Sequence, residues 1–541
     1  VTEKIARVSF RPDGAARLDR TWSVVGDANC PREGRLRDSS ISSTPPAVES
    51  ATADGVAKLR TASLEVAVAT TPGDHLRATF SHAGVAFAAD RPHGSYLYDS
   101  RGSTVRHYVS SSEGERYLGF GEPSGPLDKA GRRLRVAATD AMAYDALSTD
   151  PLYKHWPCGV VVAPSDPAAA TPPIAYGVLY DNLAQGSLDF GREISAFRGR
   201  YRYYEAEAGD VDVYLALGPT ALEATQQLAW LMGRSHPPPR WALGYMGSTM
   251  VYTEADDAQA RLKRFGELCC EHGIPCGAFH LSSGYTADAD GRRCVFTWNT
   301  SRVPDPPAMF GDFKARGMAV LPNIKPWLLT CHPGYAALAA AGGLLKTADG
   351  AAPLVGRFWS GGPGSSADGS YVDFASAAGY EWWVNELTSS LVAHGAGGAW
   401  NDNNEFEVDD DGARCGRPPP SASAPAAIGV VGRALHTLLM ARASRDALLA
   451  ARPDERPFVI SRSGCVGTQR YAQQTWSGDN RTGWETLRAN IPMGLSLGLS
   501  GWPSCGHDVG AFAGPRPDAE LFVRWVQQGA LQPRFTIHSG F

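Results

Sequence analysis

The sequence predicts a (β/α)8 barrel preceded by an antiparallel β-sandwich. Three observations lead there. Short alternating apolar runs fill residues 1–235, a proline run in SHPPPRWALGYM (235–246) breaks the texture, and from 236 to 541 strand-like apolar runs alternate with helical ones. Alternation of that second kind implies parallel strands joined by crossover helices, and eight such units imply closure into a barrel.

The runs SLEVAVAT (63–70), IAYGVLYDN (174–182) and DVDVYLALG (210–218) lie between Gly, Pro and polar turns, as in a sandwich. Residues 35–56, rich in Ser, Pro and Ala, read as a loop. The second region offers eight strand candidates in order: WALGYM, PCGAFHL, MAVLPNIKP, GAGGAWND, RPFVISRS, TWSGDN, LSLGLSGWP and PRFTIH. Helical stretches such as EADDAQARLKRFGELCCEHG separate most of them. Segments 356–370 and 407–425 read as loop insertions. The second carries an acidic run, Asp409–Asp411, without the alternating-oxygen pattern of a calcium loop, so a solvated loop is expected.

Bulk properties exclude several classes. The 541 residues carry a net charge of −5 with no long basic run, which argues against nucleic acid as the main partner. No stretch is long and apolar enough for a membrane span, and the N-terminal VTEKIARVSF has no signal core, so a cytoplasmic location off the membrane is expected. The ten cysteines include no CxxC pair; free thiols rather than a zinc site are expected. No HExxH pair is present, so no catalytic metal is expected. N-x-S/T sequons stand at Asn299 and Asn480.

In a (β/α)8 barrel, functional side chains sit at the C-terminal ends of strands. Carboxylates directly after candidate strands are Asp402 in GAGGAWNDNNE, Asp479 in QQTWSGDN and Asp508 in SGWPSCGHD. Trp400 and Trp476 flank the first two and suit a sugar face, though core packing serves an indole equally well. Two carboxyls on opposite sides of a glycosidic bond can hydrolyse it.

The surrounding words sharpen this. WNDNNE (400–405) resembles the nucleophile motif W-x-D-M-N-E of glycoside hydrolase family 31, and RSGCVGTQRYAQQTWSGDN (462–480) resembles that family's acid/base block. IPMGLSLGLSGWPSCGHDVGAF (491–512) and ELFVRWVQQGALQPRFTIHS (520–539) are similar to its last two barrel blocks. Residues 120–157 resemble the N-terminal segment overhanging the pocket, and 218–245 the entry to the barrel. The resemblance implies a retaining exo-acting α-glycosidase, α-glucosidase-like, with no cofactor, acting on terminal α-linked sugars. It implies Asp402 as nucleophile, Asp479 as acid/base, and Arg462, His538, Trp400, Trp476, Phe512 and Asp140 as substrate-binding groups. Glu405 and Asp508 would support them, or simply form buried salt bridges.

The chain departs from the family at one wall. HLSSGY places Ser282 and Gly284 where L-D-x-D-Y is usual; IKP places Lys325 where I-D-P is usual; FTWN carries Asn299 in place of Asp. Ser282 and Lys325 are thus expected to alter sugar recognition, with Lys325 offering a donor to the sugar. An α-galactosidase or other non-glucose α-glycosidase, a transglycosylase and a glucan lyase remain open alternatives, because all use the same aspartate pair. A non-enzymatic sugar-binding barrel would have lost one aspartate, and both are present. The chain stops at IHSGF where relatives continue into C-terminal β domains, so the natural protein is expected to be longer.

Overall fold

A computed structural model describes residues 1–540 apart from 13–18, 29–33, 70–75, 165–172, 362–363 and 418–424. Two five-stranded antiparallel sheets face each other in the N-terminal half. One runs Ile5–Phe10, Val211–Gly218, Ile174–Tyr180, Cys158–Ala163, Arg116–Gly119; the other runs Arg133–Val136, Gly186–Asp189, Tyr201–Ala206, Val105–Ser110, Tyr96–Tyr98. Their facing side chains, among them Val178, Leu215, Leu188 and Tyr204, form one apolar core. A third antiparallel sheet covers Glu49–Ala89 as a five-stranded meander. Its first strand, Glu49–Ala53, lies in the stretch expected to be a loop: alanine and threonine pair readily once a tight turn at Asp54–Gly55 brings Val56–Arg60 alongside.

The second half closes into a barrel of eight parallel strands. In order these are Tyr245–Ser248, Cys276–Leu281, Ala319–Ile324, Ala399–Asn401, Val459–Ser461, Gln474–Trp476, Cys505–Val509 and Arg534–Ile537. Helix Ala221–Met232 leads in, opened by a capping box between Thr220 and Glu223. Outer helices such as Pro306–Ala315 and Ala519–Gly529 start on Asp305 and Asp518, whose carboxylates accept the first free N–H groups. Helix Arg433–Ala451 is buried along most of its length, and Ser444 on it donates to Asn401 in the fourth strand at 3.0 Å.

Three readings of the second region need correction. The start of WALGYM lies in a 3-10 turn, Arg240–Leu243, and the first strand begins at Tyr245. LSLGLSGWP is the end of helix Trp484–Leu499 and the turn after it; the seventh strand is Cys505–Val509. A short apolar run does not distinguish a buried strand from a buried helix, and the true strand carries His507 and Asp508, so it lacks an apolar signature. Segment 356–370 is not a loop: Gly356–Trp359 pairs with Ser366–Tyr371, which in turn pairs with Trp327–Leu329, in a three-stranded sheet. In 407–425, Arg414–Cys415 pairs with Ala426–Ala427, while 418–424 lie outside the described residues; Asp411 is held by Arg433 at 2.7 Å. No described helix is long and apolar enough to cross a membrane. The nine described cysteines are free thiols, and Cys30 lies outside the described residues. Both sequon amides are engaged, Asn480 with the Asp508 carbonyl and Asn299 with the Ala287 carbonyl.

Candidate functional site

The C-terminal strand ends of the barrel meet residues 120–157 of the N-terminal half, and Arg462 stands at the junction. It follows the fifth strand and is buried. Its guanidinium grips both oxygens of Glu405 at 2.9 and 2.8 Å, and reaches Asp140 at 2.9 Å, Asp479 at 3.2 Å and Asp402 at 3.4 Å. The Tyr153 ring lies 4.8 Å from its central carbon. A buried guanidinium needs such partners, because its desolvation is otherwise uncompensated.

Asp402 follows the fourth strand. Its Oδ2 accepts from Asn323 at 2.9 Å and Lys325 at 3.1 Å. Those donors are two residues apart at the end of the third strand, and the period-two pleat points both the same way. Burial alone would raise the Asp402 pKa; the Lys325 and Arg462 charges and the hydrogen bonds from Asn323 and Lys325 outweigh it and hold the carboxyl well below the usual range.

Asp479 follows the sixth strand through Gly478, whose φ is 72° and whose added Cβ would fall 2.0 Å from the Tyr153 ring. Only glycine fits that turn. The Asp479 N–H donates to the Tyr153 hydroxyl at 3.1 Å, and its carbonyl accepts from Ala143 at 2.8 Å. Burial drives the Asp479 carboxyl well above its ordinary pKa; Arg462 opposes this, while Asp140, Asp402 and Asp508 repel the charged form and add to the rise. Beneath it the Lys154 ammonium pairs with Glu122 at 2.7 Å and donates to the carbonyls of Arg462 at 3.0 Å and Trp476 at 2.9 Å. One cation from the N-terminal half thereby ties the ends of two barrel strands.

The other side is aromatic. Trp400 and Trp476 are buried edge to face at 5.9 Å, His538 lies 5.3 Å from Trp400, and Phe512 stacks on His538 at 5.1 Å. Burial pushes His538 down to about 3, so the ring is neutral. Asp508 sits behind them, bound to Arg534 at 3.4 Å, and burial raises it to about 7. Burial likewise raises Glu405 to about 7 despite Arg462.

The structure therefore gathers Asp140, Asp402, Glu405, Asp479 and Lys325 around Arg462, and sets Trp400, Trp476, His538 and Phe512 as a contiguous aromatic wall. Ser282 is buried at the end of the second strand, and Gly284 has no room for a side chain, since a Cβ would meet the Thr253 carbonyl oxygen at 2.4 Å. Lys325 stands differently from a sugar-facing donor: it is hydrogen-bonded to Asp402 and Asn403, with Trp359 4.9 Å from its ammonium. A buried ammonium is drawn to the nearest carboxylate, here Asp402.

Sequence reasoning missed Asn323, Asn403, Tyr153, Lys154 and Glu122. Asn323 had a signal, since it shares a strand face with Lys325; Asn403, which donates to Asp140 at 2.9 Å, had only its place in WNDNNE. Asn323 Oδ1, Trp400 Nε1, His538 Nδ1 and Asp140 Oδ1 are buried without a hydrogen-bond partner among the described residues. Buried polar atoms are normally satisfied, so a cluster of exceptions suits a ligand rich in hydroxyls. A groove of about 510 Å³, lined by Asp140, Trp327, Trp359, Tyr371, Asn403 and Glu405 among others, opens beside the carboxylates. Among the described residues, one trio has clustered metal-ligating atoms, Asp288, Cys294 and Cys331, and it lies outside this site.

Comparison with known proteins identifies the family. The family model for the glycosyl hydrolases family 31 TIM-barrel domain matches residues 235–541, and that for the glycosyl hydrolase 31 N-terminal galactose mutarotase-like domain matches residues 1–189. The chain is 29% identical to alpha-glucosidase 2 of Bacillus thermoamyloliquefaciens over 99% of its own length and 62% of that protein. It is 33% identical to neutral alpha-glucosidase AB of Homo sapiens over 62% of its own length and 34% of that protein. It thus spans less than two thirds of these curated relatives. Its fold is similar to that of a family 31 dextranase from Flavobacterium johnsoniae complexed with glucose (TM-score 0.83, 21% identity, 100% of this chain and 62% of that one). A family 31 α-xylosidase from a soil metagenome complexed with xylose is also similar (TM-score 0.77, 18% identity, 99% and 74%).

Proposed function

Because this chain belongs to glycosyl hydrolase family 31, we propose that it is a retaining, exo-acting α-glycosidase, α-glucosidase-like, that removes terminal α-linked sugars by double displacement. Asp402 is the nucleophile and Asp479 the acid/base. The observation that carries this assignment is the contrasting surroundings of two carboxyls on one guanidinium: Asp402 accepts from Asn323 and Lys325 and lies 3.4 Å from Arg462, which favours its charged form, while burial favours the protonated form of Asp479. One ionised and one protonated carboxyl are what the first half of the reaction requires.

In that half, Asp402 attacks the anomeric carbon as Asp479 protonates the departing oxygen. In the second, Asp479, now ionised, takes a proton from water, which releases the sugar from Asp402. Arg462 holds both carboxyls near one another, and Trp400, His538 and Phe512 wall the sugar. The names of curated relatives favour glucose in the terminal position. Ser282, Gly284 and Lys325 favour a second reading, an α-glycosidase for a different sugar, because the carboxylates expected at that wall are absent.

A panel of aryl α-glycosides (glucoside, galactoside, xyloside, N-acetylgalactosaminide), with product anomers followed by NMR, tests both. Release of the α-anomer from one of them is expected; initial release of the β-anomer, or full turnover in Asp402→Asn, would overturn the mechanism.

A further inference from the structure

Cys294 and Cys331 lie on the segments that follow the second and third barrel strands, outside the catalytic carboxylates. Their sulfurs and an Asp288 carboxylate oxygen are all within 4.8 Å of one another. Cys294 is buried and Cys331 is exposed. The backbone around the pair is already clamped: the His332 ring bonds the Val295 carbonyl at 2.8 Å, its other nitrogen accepts from Gly334 at 2.9 Å, and the Cys294 N–H donates to Thr286 at 3.1 Å. The neighbouring residue on each segment is thus fixed, and the two sulfurs face each other across a held gap.

We propose that Cys294 and Cys331 are a modification site: a thiol pair that a small disulfide of the glutathione class converts to an intramolecular disulfide. The exposed Cys331 thiolate attacks one sulfur of the reagent, forming a mixed disulfide and expelling one thiolate. Cys294, whose thiol is pushed by burial up to about 12, then attacks the Cys331 sulfur as it gives up its proton, and expels the second. Two protein thiols become one disulfide, the reagent becomes two thiols, and the two protons pass to those thiols. Metal binding fits less well. Asp288 Oδ2 accepts from the Arg292 Nε at 2.8 Å and Oδ1 from two backbone N–H groups, so the only non-sulfur ligand is already engaged.

The link would matter to the site wall. Arg293, next to Cys294, pairs with Glu254 and lies 5.5 Å from the Trp359 ring, which in turn lies against Lys325. A bond from Cys294 to Cys331 fixes this array to the segment that runs on from Lys325 through Trp327–Leu329. The inference does not depend on the proposed reaction.

The test is peptide mapping of the native chain, first reduced, then exposed to oxidised glutathione and alkylated. The Cys294 and Cys331 peptides should appear as one species lighter by two hydrogens, restored to two by dithiothreitol. In Cys331→Ser the cross-link should vanish and Cys294 should alkylate; in Cys294→Ser a stable glutathione adduct should remain on Cys331. The exposed serine variant carries the test if the buried one fails to fold. Separate alkylation of both thiols in the native chain, a stable adduct on its Cys331, or one-to-one zinc binding that blocks both thiols would overturn the proposal.

Discussion

Replacing Lys325 with methionine removes one charge from the proposed nucleophile while keeping a similar length. The ammonium is 3.1 Å from Asp402 Oδ2, where a unit pair at an effective dielectric near 20 is worth about 5 kcal/mol. Less than that is lost, because Arg462 at 3.4 Å and Asn323 at 2.9 Å still favour the carboxylate. An opposite charge at this range shifts a carboxyl by about 1–3 units, or about 1.4–4 kcal/mol. The folded Asp402 pKa is depressed, so removing the cation raises it, and the carboxyl protonates at a higher pH. The acid limb of kcat/KM should therefore move up by about 1–3 pH units. Asp402's contribution to stability, present above its unfolded pKa and lost as pH falls through its folded one, should shrink in the same variant. Initial rates on an activated aryl α-glycoside across the acid and neutral range, with circular dichroism as a fold control, give the measurement. An unmoved acid limb in a folded Lys325→Met protein would refute the claim that this ion pair sets the charge on Asp402.

Other outcomes follow from the same geometry. Asp479→Ala should lower turnover by about 10²–10⁴-fold on glycosides with poor leaving groups and far less on activated aryl glycosides, which need little protonation; a leaving-group series measures this. Lys154→Met should cost about 3–5 kcal/mol in denaturant unfolding by stranding the Glu122 carboxyl, and Lys154→Met with Glu122→Leu should recover part of it. Gly478→Ala should lower kcat more than it raises KM, because the Tyr153 ring blocks the new methyl and Asp479 must move; kinetics beside a thermal melt separate that effect from unfolding.

How much of this was legible in the sequence depended on where a residue's partner lies along the chain. Asp402 and Asp479 stood out because a carboxyl after a strand end is a local pattern, and the words around them resemble known blocks. Lys325 was visible as an exception, yet its role was not: nothing local shows that its ammonium meets a carboxyl at 402 rather than a sugar. Tyr153 and Lys154 were hidden for the same reason, since their partners lie more than 300 residues away at 462, 476 and 479. The strand at 505–509 was missed because barrel interiors near a site carry polar side chains, which erase the apolar alternation that marks a strand elsewhere. The hairpin at 356–371 was missed because Gly and Ser signal turns, while its pairing partner at 327–329 is supplied by tertiary structure.

The contact of Arg462 with Asp140 has a consequence for what a complete site requires. Asp140, Tyr153 and Lys154 all precede residue 235, and the carboxyls they help to arrange follow it. A barrel that has closed by itself keeps Glu405, Asp402 and Asp479 on the Arg462 guanidinium but lacks Asp140 there, the Tyr153 hydroxyl beside the Asp479 backbone and the Lys154 ammonium across two strand ends. A closed barrel and a complete site are therefore distinct conditions. The groups that lower Asp402 all lie within the barrel, whereas Asp479 takes a hydroxyl contact from Tyr153 and part of its repulsion from Asp140, so Asp479 is the carboxyl whose charge depends on how the first half is seated.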